Sequence, residues 1–147
     1  MSFWWVSQNK THYNERNGGY LWAPKRDKSG KRQYHWDTMT EVRKGDIIFS
    51  YFRQHIVAYA TAEGVAYDFN NPFNEAGEDW EVEGRKIDAS YTILDRPIYI
   101  PDIVNNLQKI LKKQAKYKPI NINGTGNQGY LFPLIDEAGN YLLSLCK

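Results

Sequence analysis

The sequence predicts an α+β domain, a small mixed sheet or barrel of about five to six short strands flanked by a few helices. Three observations carry that expectation. Runs of β-branched and aromatic residues recur through the chain, and the clearest of them alternate apolar with polar positions. Convincing helical spacing is confined to a few short segments, most of them in the C-terminal third. Regularly alternating strand and helix units are absent, which argues against a doubly wound parallel sheet.

Residues 3–6 are rich in β-forming side chains and read as a first strand that delivers Ser7, Gln8, Asn9 and Lys10 to a rim. Trp4 and Trp5 are neighbours on it and point to opposite faces, so one is expected to enter the core. A long loop follows, holding Gly18 and Gly19, the apolar Tyr20, Leu21 and Trp22, a stop at Pro24, and a basic stretch around Ser29 and Gly30. Residues 37–43 form a short helix candidate, with Met39 and Val42 at i, i+3 and Lys44 and Gly45 as its stop. The clearest hairpin pairs residues 46–52 with 56–62 across the polar Arg53, Gln54 and His55.

Residues 65–79 mix Asn, Pro, Gly and acids and read as loop. Trp80 and Val82, then Ile87, Ala89, Tyr91 and Ile93, alternate with polar neighbours as a half-buried strand does. Pro101 and Asp102 open the best helix, whose apolar stripe is Ile103, Leu107, Ile110 and Leu111 and whose other face carries lysines. Beyond Pro119 come Ile120 and Ile122, a loop over 123–129, a short strand over 130–133, and a last helix holding Leu142, Leu143 and Leu145.

A length of 147 residues suits one domain, read here as spanning 1–147. The net charge of +2 is too mild to specify a partner, but its placement is uneven. Lys25, Arg26, Lys28, Lys31 and Arg32 cluster in one segment and the lysines from Lys109 to Lys118 in another, against an acidic block from Glu75 to Glu83. Cys146 is the single cysteine and fits a reducing compartment, and no window approaches a membrane span, so a cytoplasmic protein is expected. The histidines, His12, His35 and His55, lack metal-ligand spacing, and no nucleophile elbow, phosphate-binding loop or dinucleotide fingerprint occurs. No cofactor and no catalysis is specified.

Aromatics are abundant: five Trp, eleven Tyr and six Phe. Placed beside amide and basic residues they suit a planar base held between aromatic faces while amides read its edge. The candidate parts are Trp22, Trp36, Tyr51, Tyr91, Gln8, Asn9, Asn127 and Gln128.

Four motifs sharpen this reading: WWVSQNK at 4–10, GGYLWAP at 18–24, KGDIIFSYF at 44–52 and NQGYLFPL at 127–134. Together they resemble the EVE domain of the PUA superfamily, related to YTH domains, and most of all the EVE domains at the N-termini of HNH-type, modification-dependent restriction endonucleases. The resemblance implies a PUA-like barrel that extrudes a methylated base into an aromatic cage, without catalysis of its own. By order of elements, Trp22 matches one cage tryptophan and Tyr91 stands where the second is expected. Ser50 and Tyr51, with Ala23 beside Trp22, lie in well-matched motifs, and Gln8 and Asn9 fall where the family places polar pocket residues. Trp36 lines that pocket or covers the barrel mouth. Asn127 and Gln128 occupy a loop that in YTH domains contacts base edges and backbone. Lys10, Lys25, Arg26, Lys28, Lys31 and Arg32 are expected to grip phosphates. The implied partner is modified double-stranded DNA, alternatively methylated RNA, with a fused or associated nuclease.

Overall fold

The computed structural model describes residues 1–8, 11–73 and 83–146. Among them seven strands and four α-helices follow one another as β1 (Phe3–Ser7), α1 (His12–Gly18), β2 (Tyr20–Pro24), α2 (Tyr34–Asp37), β3 (Ile47–Phe52), β4 (His55–Ala62), β5 (Tyr67–Asp68), β6 (Gly84–Tyr99), α3 (Ile100–Leu111), β7 (Leu131–Leu134) and α4 (Asp136–Leu145). A 3₁₀ turn, Thr38–Glu41, continues α2. The strands pair in the order β2-β6-β4-β3-β1-β7, with β5 added to β6. Among these strands β1 and β3 pair in parallel and the other pairs are antiparallel. The expected barrel is thus an open half-barrel: β2 and β7 end the hydrogen-bonded path and leave a seam between them.

The sheet is buried on both faces. Trp5, with Phe49, Leu107, Phe132 and Leu142, belongs to the core under α3 and α4, whereas Trp4, with Leu21, Ile48, Ile87 and Leu131, belongs to the core on the opposite face. Both tryptophans are therefore interior, and Trp4 completes its hydrogen bonding by donating Nε1 to Asp46 at 3.0 Å. Among the described residues no helix is long and apolar enough to cross a membrane.

Several local expectations change: Tyr20–Pro24 and Tyr67–Asp68, both read as loop, are the strands β2 and β5, which pair with β6 through backbone hydrogen bonds that local sequence does not reveal. The stretch read as loop before Gly19 contains α1, which buries His12 and Glu15 rather than an apolar stripe. Gly19, at φ 73°, ends that helix in the left-handed conformation and donates its N–H to the Glu15 carbonyl. The short helix begins earlier, at Tyr34, so that His35 and Trp36 are helical. The β6 alternation breaks at a bulge: Ala58 pairs Ile93 and Ile56 pairs Ile98, so two steps along β4 face five along β6. Ile93 consequently points outward, 55% exposed, and Leu94 takes the inward place. Trp80 and Val82, like Asn9 and Lys10, lie outside the described residues.

Candidate functional site

A cleft of about 790 Å³ opens at the seam of the half-barrel. Among the described residues its walls come from the end of β1 (Ser7), Thr11, β2 (Trp22, Ala23, Pro24), α2 (His35, Trp36), the β3–β4 hairpin (Tyr51, Arg53, Gln54) and the segment leading into β7 (Gly126 to Tyr130). Such convergence follows from the topology. Where two edge strands fail to pair, their backbone groups need other partners, and here side chains supply them. Tyr130 Oη accepts from the Trp22 N–H at 3.1 Å and donates to Glu15 Oε1 at 2.5 Å, and Thr38 Oγ1 donates to the Leu131 carbonyl at 2.8 Å.

Behind the cleft lies a buried polar network. Gln8 Nε2 donates to Glu15 Oε2 at 2.6 Å and to Tyr91 Oη at 2.8 Å, Ser50 Oγ donates to Gln8 Oε1, and Tyr91 Oη donates to the Tyr20 carbonyl at 3.0 Å. Burial pushes the Glu15 carboxyl up to about 8, although Tyr130, the Trp22 N–H and Gln8 all donate to it and favour the anion. Tyr91 and Tyr130 are driven well above the ordinary phenol range, first by burial and then by the Glu15 charge.

The wall of the cleft is chemically mixed. Tyr51 packs on Trp5 at 4.9 Å between ring centroids, and burial raises the pKa of its phenol, an effect opposed by the nearby backbones of Gly126 and Gln54. His35 and Trp36 are half-buried, their rings edge-on at 5.2 Å. The Tyr130 N–H donates to His35 Nδ1 at 3.1 Å, so the neutral ring carries its proton on Nε2. Burial also lowers the His35 pKa, keeping it neutral. Ser7 Oγ is buried with no hydrogen-bond partner among the described residues. A buried hydroxyl left unpaired is costly, and this oxygen is enclosed behind the cleft wall rather than open to it, although the residue borders the cleft.

The anticipated residues separate into layers. Ala23, Trp36, Tyr51, Asn127 and Gln128 line the cleft. Trp22 also borders it, but the residue is fully buried, its indole donating Nε1 to the Phe69 carbonyl at 2.7 Å and lying edge-on to Phe73. Gln8, Ser50 and Tyr91 form the hydrogen-bonded layer behind rather than an open face. Lys25, Arg26, Lys28 and Arg32 line an adjoining concavity of about 760 Å³ together with Arg85. Its turn is ordered by Asp27, which accepts from the N–H groups of Ser29 and Lys31 at 2.9 Å. Lys25 pairs with Asp68 at 2.8 Å and Arg32 with Asp37 at 3.1 Å. Lys31 is exposed on the same turn.

Glu15, Thr11, Arg53 and Tyr130 were not anticipated as parts of the site. Tyr130 was visible only as part of the NQGYLFPL motif, and Glu15 sat in a stretch whose helix left no apolar signature. Among the described residues no group of three His, Cys, Asp or Glu side chains is arranged to hold a metal.

No family model and no curated protein matches the sequence. Solved structures do match its fold. The human THYN1 protein in complex with 5-methylcytosine-containing DNA aligns over 100% of this chain and 98% of its own, at 16% identity and a TM-score of 0.64. The DUF55 domain of human thymocyte nuclear protein 1 covers 98% of both chains at 14% identity and a TM-score of 0.63. The YTH domain of the Zygosaccharomyces rouxii MRB1 protein, in complex with N6-methyladenosine RNA, covers 99% of this chain and 86% of its own at 10% identity and a TM-score of 0.58. The fold is therefore a PUA-like α+β half-barrel shared with DUF55 and YTH domains.

Proposed function

We propose that this protein is a non-catalytic reader of methylated nucleic acid, with modified duplex DNA as its target, that receives an extruded base in the seam cleft. The observation that carries this reading is the cleft itself. At about 790 Å³ it falls within the range of small-molecule sites, roughly 300–1,000 Å³. It offers the aromatic Trp36 and Tyr51, the amides Asn127 and Gln128 and the His35 Nε2–H, beside a basic concavity suited to phosphates. An extruded base would stack on the aromatic wall while these polar groups meet its edge. The duplex-DNA form draws support from the fold shared with the THYN1 structure holding 5-methylcytosine-containing DNA.

The test is binding to duplexes that differ only in carrying cytosine, 5-methylcytosine, 5-hydroxymethylcytosine or N6-methyladenine at one site. A preference of at least tenfold for one modification, lost in Trp36→Ala, supports the reading; equal binding to all duplexes overturns it. Trp36 is the better target than Trp22, because removing a fully buried indole would also cost core stability of about 3–5 kcal/mol.

A second reading, methylated RNA, is favoured by the fold shared with the YTH domain bound to N6-methyladenosine RNA. Competition between matched RNA and DNA oligonucleotides decides between the two. The implied place in a restriction system gives the chain a targeting role, with an HNH-type nuclease, fused or recruited, cutting the DNA. Loss of restriction of modified phage DNA in cells carrying Trp36→Ala tests that role.

A further inference from the structure

A second aromatic surface lies outside the cleft. Tyr34 and Tyr117 stack on each other with ring centroids 4.2 Å apart and planes 21° apart, yet each remains 38% exposed. Each ring is tied to residues that line the cleft. Tyr34 directly precedes His35 and Trp36, and its ring lies edge-on to His35 at 5.3 Å. Tyr117 directly precedes Lys118, whose carbonyl accepts the side-chain amide of cleft-lining Asn127 at 2.8 Å.

The backbone at Tyr117 shows that the ring's position is held against local preference. Its φ is +62°, a left-handed conformation that suits Gly or Asn and disfavours a bulky side chain. Buried Gln114 maintains the turn, donating Nε2 to the carbonyls of Lys116 and Tyr117 at 3.3 Å and of Pro133 at 2.9 Å, while its Oε1 accepts from the Ile135 N–H at 3.0 Å. Backbone strain of this kind persists where the surroundings over-determine it, and it concentrates at functional sites. Lys116 Nζ sits 4.8 Å from the Tyr117 ring centroid, bringing a positive charge beside the exposed aromatic.

We propose that the Tyr34–Tyr117 stack is a second base-binding platform, which receives the nucleobase next to the one held in the cleft. The inference rests on the reading of the cleft as a base pocket. Extruding one base exposes the face of its neighbour, and an exposed aromatic pair at the cleft rim replaces the missing stacking partner. The site then reads modification in the cleft and takes affinity, with a preference for large purine faces, from the flanking position.

The experiment uses the full chain and the variant Tyr117→Asn, because Asn tolerates the left-handed backbone and removes the ring without straining the turn. Each protein is titrated with the preferred modified duplex and with versions carrying an abasic site immediately 5′ or 3′ of the modified base. The expected result is that one abasic duplex binds wild type about tenfold more weakly, that Tyr117→Asn binds the intact duplex about tenfold more weakly with its melting temperature unchanged or raised, and that the abasic site then costs it nothing further. Wild-type affinity in Tyr117→Asn, or an abasic penalty that persists in it, overturns the platform while the preference for modified DNA stands. Failure of wild type to prefer any modified duplex removes both.

Discussion

Glu15 is where pH acts most directly on this protein. Its carboxyl titrates at an ordinary value of about 4.5 when exposed and at about 8 in the folded chain, chiefly because burial disfavours the anion. Between those values the unfolded chain has lost the proton and the folded one keeps it, so the Glu15 contribution to stability falls as pH rises through this window. Denaturant titrations at pH 5 and pH 8 should show wild type losing stability relative to Glu15→Gln, by up to about 1.4 kcal/mol per pH unit. Equal pH slopes for the two proteins would remove Glu15 as the cause. Gly129 is constrained for a steric reason. Its φ is +150°, and a Cβ there would lie 2.5 Å from Phe132 Cζ and 3.2 Å from His35 Cγ. Gly129→Ala should destabilise by about 2 kcal/mol or more and disturb the His35 wall of the cleft, which urea unfolding together with duplex binding will check. Neither position announced itself in the sequence. A glutamate among polar neighbours looks solvated, and a glycine before a strand looks like an ordinary turn, until tertiary structure encloses them.

Among the elements, the β3–β4 hairpin shows how locally encoded structure can carry a local cost. Arg53 and Gln54 form its tip at φ 47° and φ 66°, values that Asn and Gly adopt more readily in a two-residue turn. Replacing Arg53→Asn and Gln54→Gly together should stabilise the fold by about 1–2 kcal/mol, read as a higher denaturation midpoint. Both side chains line the cleft, so binding should weaken in the same variant; unchanged affinity would place the nucleic acid away from the hairpin tip. The hairpin itself was legible because alternating apolar residues flank a polar tip. α1 was not, because its inward side chains are His12 and Glu15, which carry no hydrophobic period. β6 was legible only as far as Tyr91, since the bulge against β4 reverses which side chains face inward.

Across the whole molecule, charge is distributed so that the basic turn adjoins the cleft, with Lys25 and Arg32 already paired to Asp68 and Asp37. Arg26, Lys28 and Lys31 are exposed on that turn. The triple variant Arg26→Gln, Lys28→Gln and Lys31→Gln should weaken modified and plain duplexes by the same factor. It should also reduce the slope of log affinity against log salt by about 0.9 for each phosphate that is no longer neutralised. A change in the modified-to-plain ratio would instead assign these side chains to base reading. Titrations at a series of salt concentrations distinguish the outcomes.

Taken alone, the sequence determined the α+β class, the hairpin, α3, α4 and the concentration of aromatic, amide and basic residues. These properties depend on local periodicity and on composition, which are written along the chain. Tertiary structure alone decided that the sheet stays open between β2 and β7, because the pairing of strands far apart in sequence is not written in local periodicity. It also decided which aromatics face solvent. Trp22 and Tyr91 are enclosed by the core and the Glu15 network, whereas Trp36 stands at the cleft and Tyr34 with Tyr117 at its rim, since exposure is a property of the assembled fold rather than of residue type.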